Sequence, residues 1–433
     1  MLRSRLLPRG GLAGAATGTF TLKVAYAGLS FLAAVILARV LGVREYGAYA
    51  FSLAWVALLG TCAVVGMDRL LVREIAKLEP QSAWSILRGL LRRANQLVAV
   101  GSLCVAGLAA IVGAILLDPP LREPFLIAMP LVPLLSLSLL RQAALQGLHR
   151  TARGMLPESL VRPGLLLVFV GAAAIASLEF DAPDAVGLTL VAATISFCVG
   201  VALLRAHLPG PVRTAKAAYE SRPWLRSALA LTALSGVTIV DTQSGTVLLG
   251  LLAGPEDAGI YAAATRLAEI GSFVLLAVNA PLAPHAAQLY AAGRMAELQQ
   301  TVTRAAKAIL LFTTPIVLVL LVFGEPLLRL FGSEFTGGKD ALAILALGQL
   351  FNAAMGSVGI LLIMTGHERD VLASVGVATF VGIALTAALI PPLGVEGAAI
   401  GRVTSLAVWN VVLAVITYRR LGIQATAAGM TRP

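Results

Sequence analysis

LVAVGSLCVAGLAAIVGAILL, Leu97 to Leu117, runs for 21 positions without a charged side chain. The hydrocarbon core of a bilayer is about 30 Å thick, and about 20 apolar helical residues cross it, so this stretch reads as a membrane span. Outward from it the same reading recurs. Apolar runs of helix length lie at 22–41, 46–66, 97–117, 125–147, 163–178, 186–206, 228–252, 259–284, 305–323, 341–364, 371–390 and 398–418. The composition agrees: 58% of the 433 residues are hydrophobic, 13% are charged and the mean hydropathy is +0.88. Soluble domains carry about a quarter charged residues, so neither a water-soluble domain nor a disordered chain fits. The expectation is an all-α integral membrane protein of about twelve transmembrane helices. Pro130, Pro133, Pro281 and Pro284 fall inside spans and are expected to kink them.

Charge sets the orientation. With the N-terminus inside, the inner segments hold 25 of the 33 Lys and Arg, and the outer loops hold only Arg44, Arg122, Arg329 and Lys339. Under the positive-inside rule both termini face the cytoplasm. The basic start, Met1 to Thr21, lacks an apolar stretch long enough for a cleaved signal, so the first helix is expected to be retained. The net charge of +11 reports inner loops and not a nucleic-acid surface. Only five of the basic residues are lysine. An arginine excess suits phosphate recognition, although a GC-rich genome produces the same bias. Arg69, Arg73 and Lys77 recur every four residues and share a helix face, as ordinary positive-inside charge or as a surface for anionic headgroups. Cys62, Cys104 and Cys198 sit in apolar runs and read as small packing residues, with no disulfide frame or metal spacing.

The chain repeats itself. Leu41-Gly42-Val43-Arg44-Glu45-Tyr46-Gly47-Ala48-Tyr49-Ala50 follows the first span. Ala253-Gly254-Pro255-Glu256-Asp257-Ala258-Gly259-Ile260-Tyr261-Ala262 follows the seventh. The two share Gly, Gly, Tyr and Ala in register, 212 residues apart, with Glu45 opposite Asp257. Six helices separate them, so the two copies have the same orientation in the membrane. The division expected is a six-helix half over 1–206, a cytoplasmic linker with Pro209, Pro211 and Pro223 over 207–227, and a second six-helix half over 228–433. Two such bundles around a central cavity make a transporter architecture.

Further pieces extend the pattern: Ala38-Arg39-Val40, Asp68-Arg69-Leu70-Leu71-Val72-Arg73-Glu74, Leu249-Gly250, Arg266-Leu267-Ala268-Glu269, Ala283-Pro284, Leu289-Tyr290, Gly324-Glu325-Pro326-Leu327-Leu328, Gly366-His367-Glu368-Arg369, Pro391 and Gly394 to Ala399. In these the chain resembles, over nearly its full length, the polysaccharide-transporter branch of the multidrug/oligosaccharidyl-lipid/polysaccharide exporter superfamily, the O-antigen-type flippases. The resemblance implies transfer of an undecaprenyl-diphosphate-linked oligosaccharide across the bacterial inner membrane by alternating access. That transfer would serve O-antigen, capsule or exopolysaccharide synthesis, alongside membrane lipids and polysaccharide assembly proteins as partners. In one respect the chain departs: where relatives often carry an aspartate in the seventh span, this chain has Gly245, and the nearest carboxylate is Asp241.

Ionisable groups inside spans are expensive and usually functional. Arg266, with Glu269 three residues on, Arg39, Arg141 and Arg402 are the candidates to hold an anionic head, since a guanidinium grips phosphate with a two-pronged fork. Bland roles compete with each: an Arg266–Glu269 pair within the bundle, and side chains reaching to headgroups for Arg39, Arg141 and Arg402. Asp241 and Glu269 are the candidates for ion coupling or charge partnership. No cofactor or metal is expected. A membrane enzyme is disfavoured, because no outer loop carries a histidine and His149, His207, His285 and His367 are unclustered. A cation-coupled multidrug exporter of the same superfamily is the alternative, but it should favour buried carboxylates over arginines.

Overall fold

The computed structural model describes residues 9–176, 180–219 and 221–429; the first eight residues of the basic start and the end of the fifth expected span, at 177–178, lie outside them. In chain order the helices are α1 (Arg9–Val64), α2 (Met67–Leu78), α3 (Trp84–Leu116), α4 (Pro119–Ala128), α5 (Leu131–Gly147), α6 (Thr151–Leu156), α7 (Arg162–Ile175), α8 (Ala182–His207), α9 (Gly210–Thr214), α10 (Ser221–Leu252), α11 (Pro255–Ala268), α12 (Ser272–Ala291), α13 (Met295–Val322), α14 (Gly324–Leu328), α15 (Lys339–Met355), α16 (Val358–Met364) and α17 (Glu368–Leu421). No strand occurs among the described residues. Among those residues eight helical segments are long and apolar enough to cross a bilayer, and Ser333–Met355 with Val358–Met364, bent by 44°, makes a ninth.

The difference from twelve has local causes. Helix α1 runs on past a break at Gly42 and α17 past a break at Gly394, so each contains two of the expected spans. Helix α10 is the seventh span, with the polar run Asp241-Thr242-Gln243-Ser244 in its middle. Divided at those glycines, the described helices follow the twelve expected spans in order. Their lipid-facing character is direct: on α3, Ile115 and Leu116 are 72% and 74% exposed, an arrangement water would not tolerate over so many side chains. The three cysteines lie on exposed surfaces, contrary to the packing role expected of them. The outer faces of spans need only be apolar, and cysteine satisfies that as well as alanine does.

Of the prolines expected to kink spans, Pro130 coincides with a break in its helix, between α4 and α5, whereas Pro281 and Pro284 lie within α12 without interrupting it. The break in that span comes earlier, as a 3-10 turn over Glu269–Gly271. The short fifth span is longer than expected for a related reason. A π-helical turn over Pro157–Val161 joins α6 to α7 and carries the helix from Thr151 to Ile175.

The helices group into two compact units, residues 1–40 with 55–236 and residues 41–54 with 237–433. In the first, α2 lies on α3 and α5. It buries Met67, Leu70, Leu71, Ile75 and Leu78 and leaves Arg69, Arg73 and Lys77 exposed, the arrangement its four-residue charge spacing predicts. The approach to α5 is close: a Cβ on Gly147 would lie 2.7 Å from the Ile75 Cβ. Much of the expected linker is fixed onto α3. Ala218 N donates to Ser85 O at 3.0 Å, and the Arg88 guanidinium donates to the Ala215 carbonyl.

In the second unit the two copies of the repeat meet. Residues 41–54 pack as part of it, and a Cβ on Gly47 would sit 1.7 Å from the Pro255 carbonyl oxygen. A Cβ on Gly259 would sit 2.3 Å from the Val43 carbonyl oxygen, so the two equivalent glycines bring backbone onto backbone. The amide of Val43 donates to the Glu334 carboxylate at 3.1 Å, and the Tyr46 ring meets Phe335 edge-on at 5.7 Å. Gly42 (φ 73°, ψ 174°) and Gly254 (φ 103°, ψ 175°), which align in the repeat, adopt the same backbone conformation. Only glycine enters that region without strain, at a cost otherwise of about 1–3 kcal/mol. Nothing lies within 4 Å of a Cβ at Gly254. Gly254→Ala is therefore expected to destabilise by about that amount through the backbone alone, read as a lowered thermal midpoint in detergent. An unchanged midpoint would contradict the assignment of strain.

Candidate functional site

Four charged groups of the second unit, Asp241, Arg266, Glu269 and Arg402, lie where α10, α11, α15 and the second half of α17 approach one another. Asp241, 3% exposed near the middle of α10, forms an ion pair with Arg402 of α17. Ser405, one turn along from Arg402, donates its hydroxyl to the other carboxylate oxygen of Asp241. The carboxylate is thus held by a guanidinium and a hydroxyl from the same helix face. Sequence position suggested that Arg402 reaches to outer headgroups; the structure turns it inward, because the buried Asp241 is within reach.

A small cavity adjoins the pair. It has a volume of about 30 Å³ and is lined by Thr242, Thr265, Glu269, Gln349 and Arg402, with Leu345 and Leu406 among the apolar residues. That is room for about two waters. Glu269 stands at the 3-10 turn, and Arg266 approaches it at 3.8 Å with both side chains about half-exposed. Asp241, Arg402, Glu269 and Arg266 therefore share one region of the second unit. Away from the cavity, further polar pairs join the helices. Asn410 of α17 donates to Asn352 of α15 at 3.0 Å, and Ser357 donates to Asn279 of α12.

Arg39 and Arg141 belong to the first unit. Arg39 is exposed on α1, three residues before Gly42. Arg141 is partly buried on α5. Its guanidinium lies over the Phe197 ring, 3.9 Å from the centroid, and donates to the Leu137 carbonyl one turn back. On the π-helical turn, Glu158 pairs with Arg162, the first residue of α7, at 3.3 Å and accepts from Ser196 at 3.4 Å. Glu158 and Arg162 fall between the expected spans 125–147 and 163–178 and so are not among the charges weighed inside spans. Their four-residue spacing was the available signal. Ser405 and Gln349 carried none, since a lone hydroxyl or amide in an apolar run has no partner visible in sequence.

Gly245, the position where the resemblance implies an aspartate, has a physical reason. A Cβ there would come within 2.6 Å of the Tyr261 ring, which is fully buried. The tyrosine occupies the space that a side chain at 245 would need.

A family profile described as "Polysaccharide biosynthesis protein" matches residues 15–290, more than half of the chain. The chain belongs to the polysaccharide biosynthesis protein family. It thereby falls within the multidrug/oligosaccharidyl-lipid/polysaccharide superfamily of membrane transporters. A second profile, MatE, matches residues 228–388. A search of curated proteins returned no match. Among solved structures, this polysaccharide biosynthesis family member is similar in fold to a multidrug resistance MATE family transporter in its inward-facing conformation. The TM-score is 0.76 at 16% identity, over 94% of this chain and 98% of that one. A superfamily transporter from Pyrococcus furiosus, described as having a binding pocket of reversed polarity, gives 0.66 at 13% identity over 95% of each chain. The MATE multidrug transporter DinF-BH gives 0.64 at 14% identity over 97% of each.

Proposed function

We propose that this multi-pass membrane protein is a flippase that moves a polyprenyl-diphosphate-linked oligosaccharide across the bacterial inner membrane for polysaccharide synthesis, with both termini in the cytoplasm. The observation that carries the reading is the match of the polysaccharide biosynthesis family across residues 15–290. The charge inside the spans supports it. A sugar diphosphate cannot cross about 30 Å of hydrocarbon unaided, and arginines at 39, 141, 266 and 402 outnumber the carboxylates at 241 and 269. Guanidinium forks substitute for water around the diphosphate, while the polyprenyl tail stays in lipid. In this reading the substrate is undecaprenyl-diphosphate-linked, the two halves of the chain alternate access between the two sides, and polysaccharide assembly proteins receive the product.

Arg266 is the residue on which this reading leans most, being half-exposed and held by Glu269 at 3.8 Å. Arg266→Glu is expected to abolish polysaccharide export in a host lacking the native copy, at wild-type membrane levels of the protein. Full export by that variant would remove Arg266 from the substrate site. The MatE match over residues 228–388 favours a second reading, a cation-coupled multidrug exporter. On that reading the same loss strain would gain sensitivity to cationic drugs with its lipid-linked sugars unchanged.

A further inference from the structure

Helix α15 ends at Met355 and α16 begins at Val358, and the two meet at a bend of 44°. Gly356, at the bend, has φ 70° and ψ −150°, a conformation that only glycine enters freely. In an unbroken helix each carbonyl accepts from the amide four residues on, so the Ala354 carbonyl would accept from Val358. Here it accepts at 2.9 Å from the amide of Ala427, a residue of the segment that follows α17. A later piece of the chain thus supplies the donor that the helix itself would supply.

That segment, residues 423–429, lies in a seat made by α13 and the bend. Ile423 and Ala425 are each 2% exposed. The side-chain amide of Gln299, on α13, grips the backbone of Gln424 from both sides. It accepts from the Gln424 amide at 2.7 Å and donates to the Gln424 carbonyl at 2.7 Å. Thr303, one turn along α13, donates to the same carbonyl at 3.3 Å. The Ala425 carbonyl reaches the bend itself: a Cβ on Gly356 would lie 2.8 Å from it and 2.7 Å from the Ala306 Cβ. All of these elements belong to the second unit.

We propose that residues 423–429 form a strap that holds α15 and α16 in the bent state. In the second state the strap has left its seat, Gly356 and Ser357 have turned helical, and Val358 donates to Ala354. One donor replaces another, so the carbonyl is paired in both states and the exchange between them is not opposed by a bare buried acceptor. The bent helix and the seated strap require each other, since the seat includes the bend and the straight helix reclaims the Ala354 carbonyl. Gln424 and Ala428 of the strap are exposed, and in the orientation proposed above they face the cytoplasm. The strap is therefore a conformational control on the second unit that is reached from that side, whatever the cargo.

The test is hydrogen–deuterium exchange of the full-length protein in lipid nanodiscs, resolved to single amides. In wild type the amides of Gln424 and Ala427 are expected to be protected. Gln299→Ala weakens the seat without touching the bend. It should speed exchange at Gln424 and Ala427 roughly tenfold or more and slow it at Val358, whose amide, at the start of α16, has no partner within that helix. Gly356→Ala acts from the other end, by crowding the Ala425 carbonyl and disfavouring the bent backbone. It should give the same pattern, because coupling between two sites is reciprocal. Amides of α3, in the first unit, should exchange as in wild type and report on folding; if Gly356→Ala fails that control, Gln299→Ala decides alone. Release of Gln424 and Ala427 in Gln299→Ala with Val358 unchanged would make the segment a passive cap and overturn the strap. Fast exchange of both amides in wild type would also overturn it, as would full protection of both in a folded Gly356→Ala.

Discussion

Asp241→Asn is expected to destabilise the second unit by about 3–5 kcal/mol, the cost of leaving one member of a buried pair without its partner. The side chains of Asp241 and Arg402 are 4% and 21% exposed, so neither charge is well hydrated. Arg402→Gln should cost less, because an abandoned carboxylate can take up a proton, whereas a guanidinium does not give one up. Combining the two changes should recover most of the loss, since no lone charge then remains buried, with Ser405 still able to donate to the amide at 241. Thermal unfolding in detergent, followed by size-exclusion fluorescence, gives the three midpoints. If the double variant is as unstable as the sum of the singles, the two residues are not acting as a pair. The pairing also bears on coupling: a carboxylate already neutralised by Arg402 has to lose that partner before it can bind a transported cation. Transport is therefore expected to persist when sodium is replaced by choline.

A second large effect is expected where the repeat packs on itself. Gly47→Ala places a methyl 1.7 Å from the Pro255 carbonyl oxygen, and Gly259→Ala places one 2.3 Å from that of Val43. Neither neighbour is a flexible side chain end, so the backbones themselves must separate. Overpacking by one methyl usually costs about 1–3 kcal/mol, and a clash with backbone should exceed that. Both variants are expected to lose most of their folded, membrane-inserted protein. Gly107→Ala, on an exposed face of α3 with nothing within 4 Å, should express as wild type. Normal folding of Gly47→Ala would show that the two turns do not meet as described.

These two sites also show what the sequence discloses and what it withholds. The paired Gly42 and Gly254 were legible as a repeat, and their shared conformation has the physical cause that only glycine occupies it freely. That Gly47 and Gly259 would then touch was not legible, because alignment reports equivalence and says nothing of contact. The spans were legible because hydrocarbon thickness sets their length. That a single glycine, Gly42 or Gly394, is all that separates two successive spans was not, since a positive φ can redirect a helix within one residue. Among the charges, Arg266 and Glu269 were close in sequence and so could be paired on paper. Arg402 and Asp241 are far apart in the chain, and the partner that draws Arg402 inward became visible only when α10 and α17 were set side by side. Glu158 and Arg162 lay outside the expected spans, because the π-helical turn that carries the fifth span back to Thr151 has no signature in the sequence.

The most direct test of transport function is to deplete the protein in its host and measure polyprenyl-diphosphate sugars by mass spectrometry, together with an assay of which membrane face they occupy. The flippase reading predicts accumulation on the cytoplasmic face, with the mass giving the repeat unit. Unchanged amount and sidedness of those lipids, with increased sensitivity to cationic drugs, would contradict it and favour the exporter.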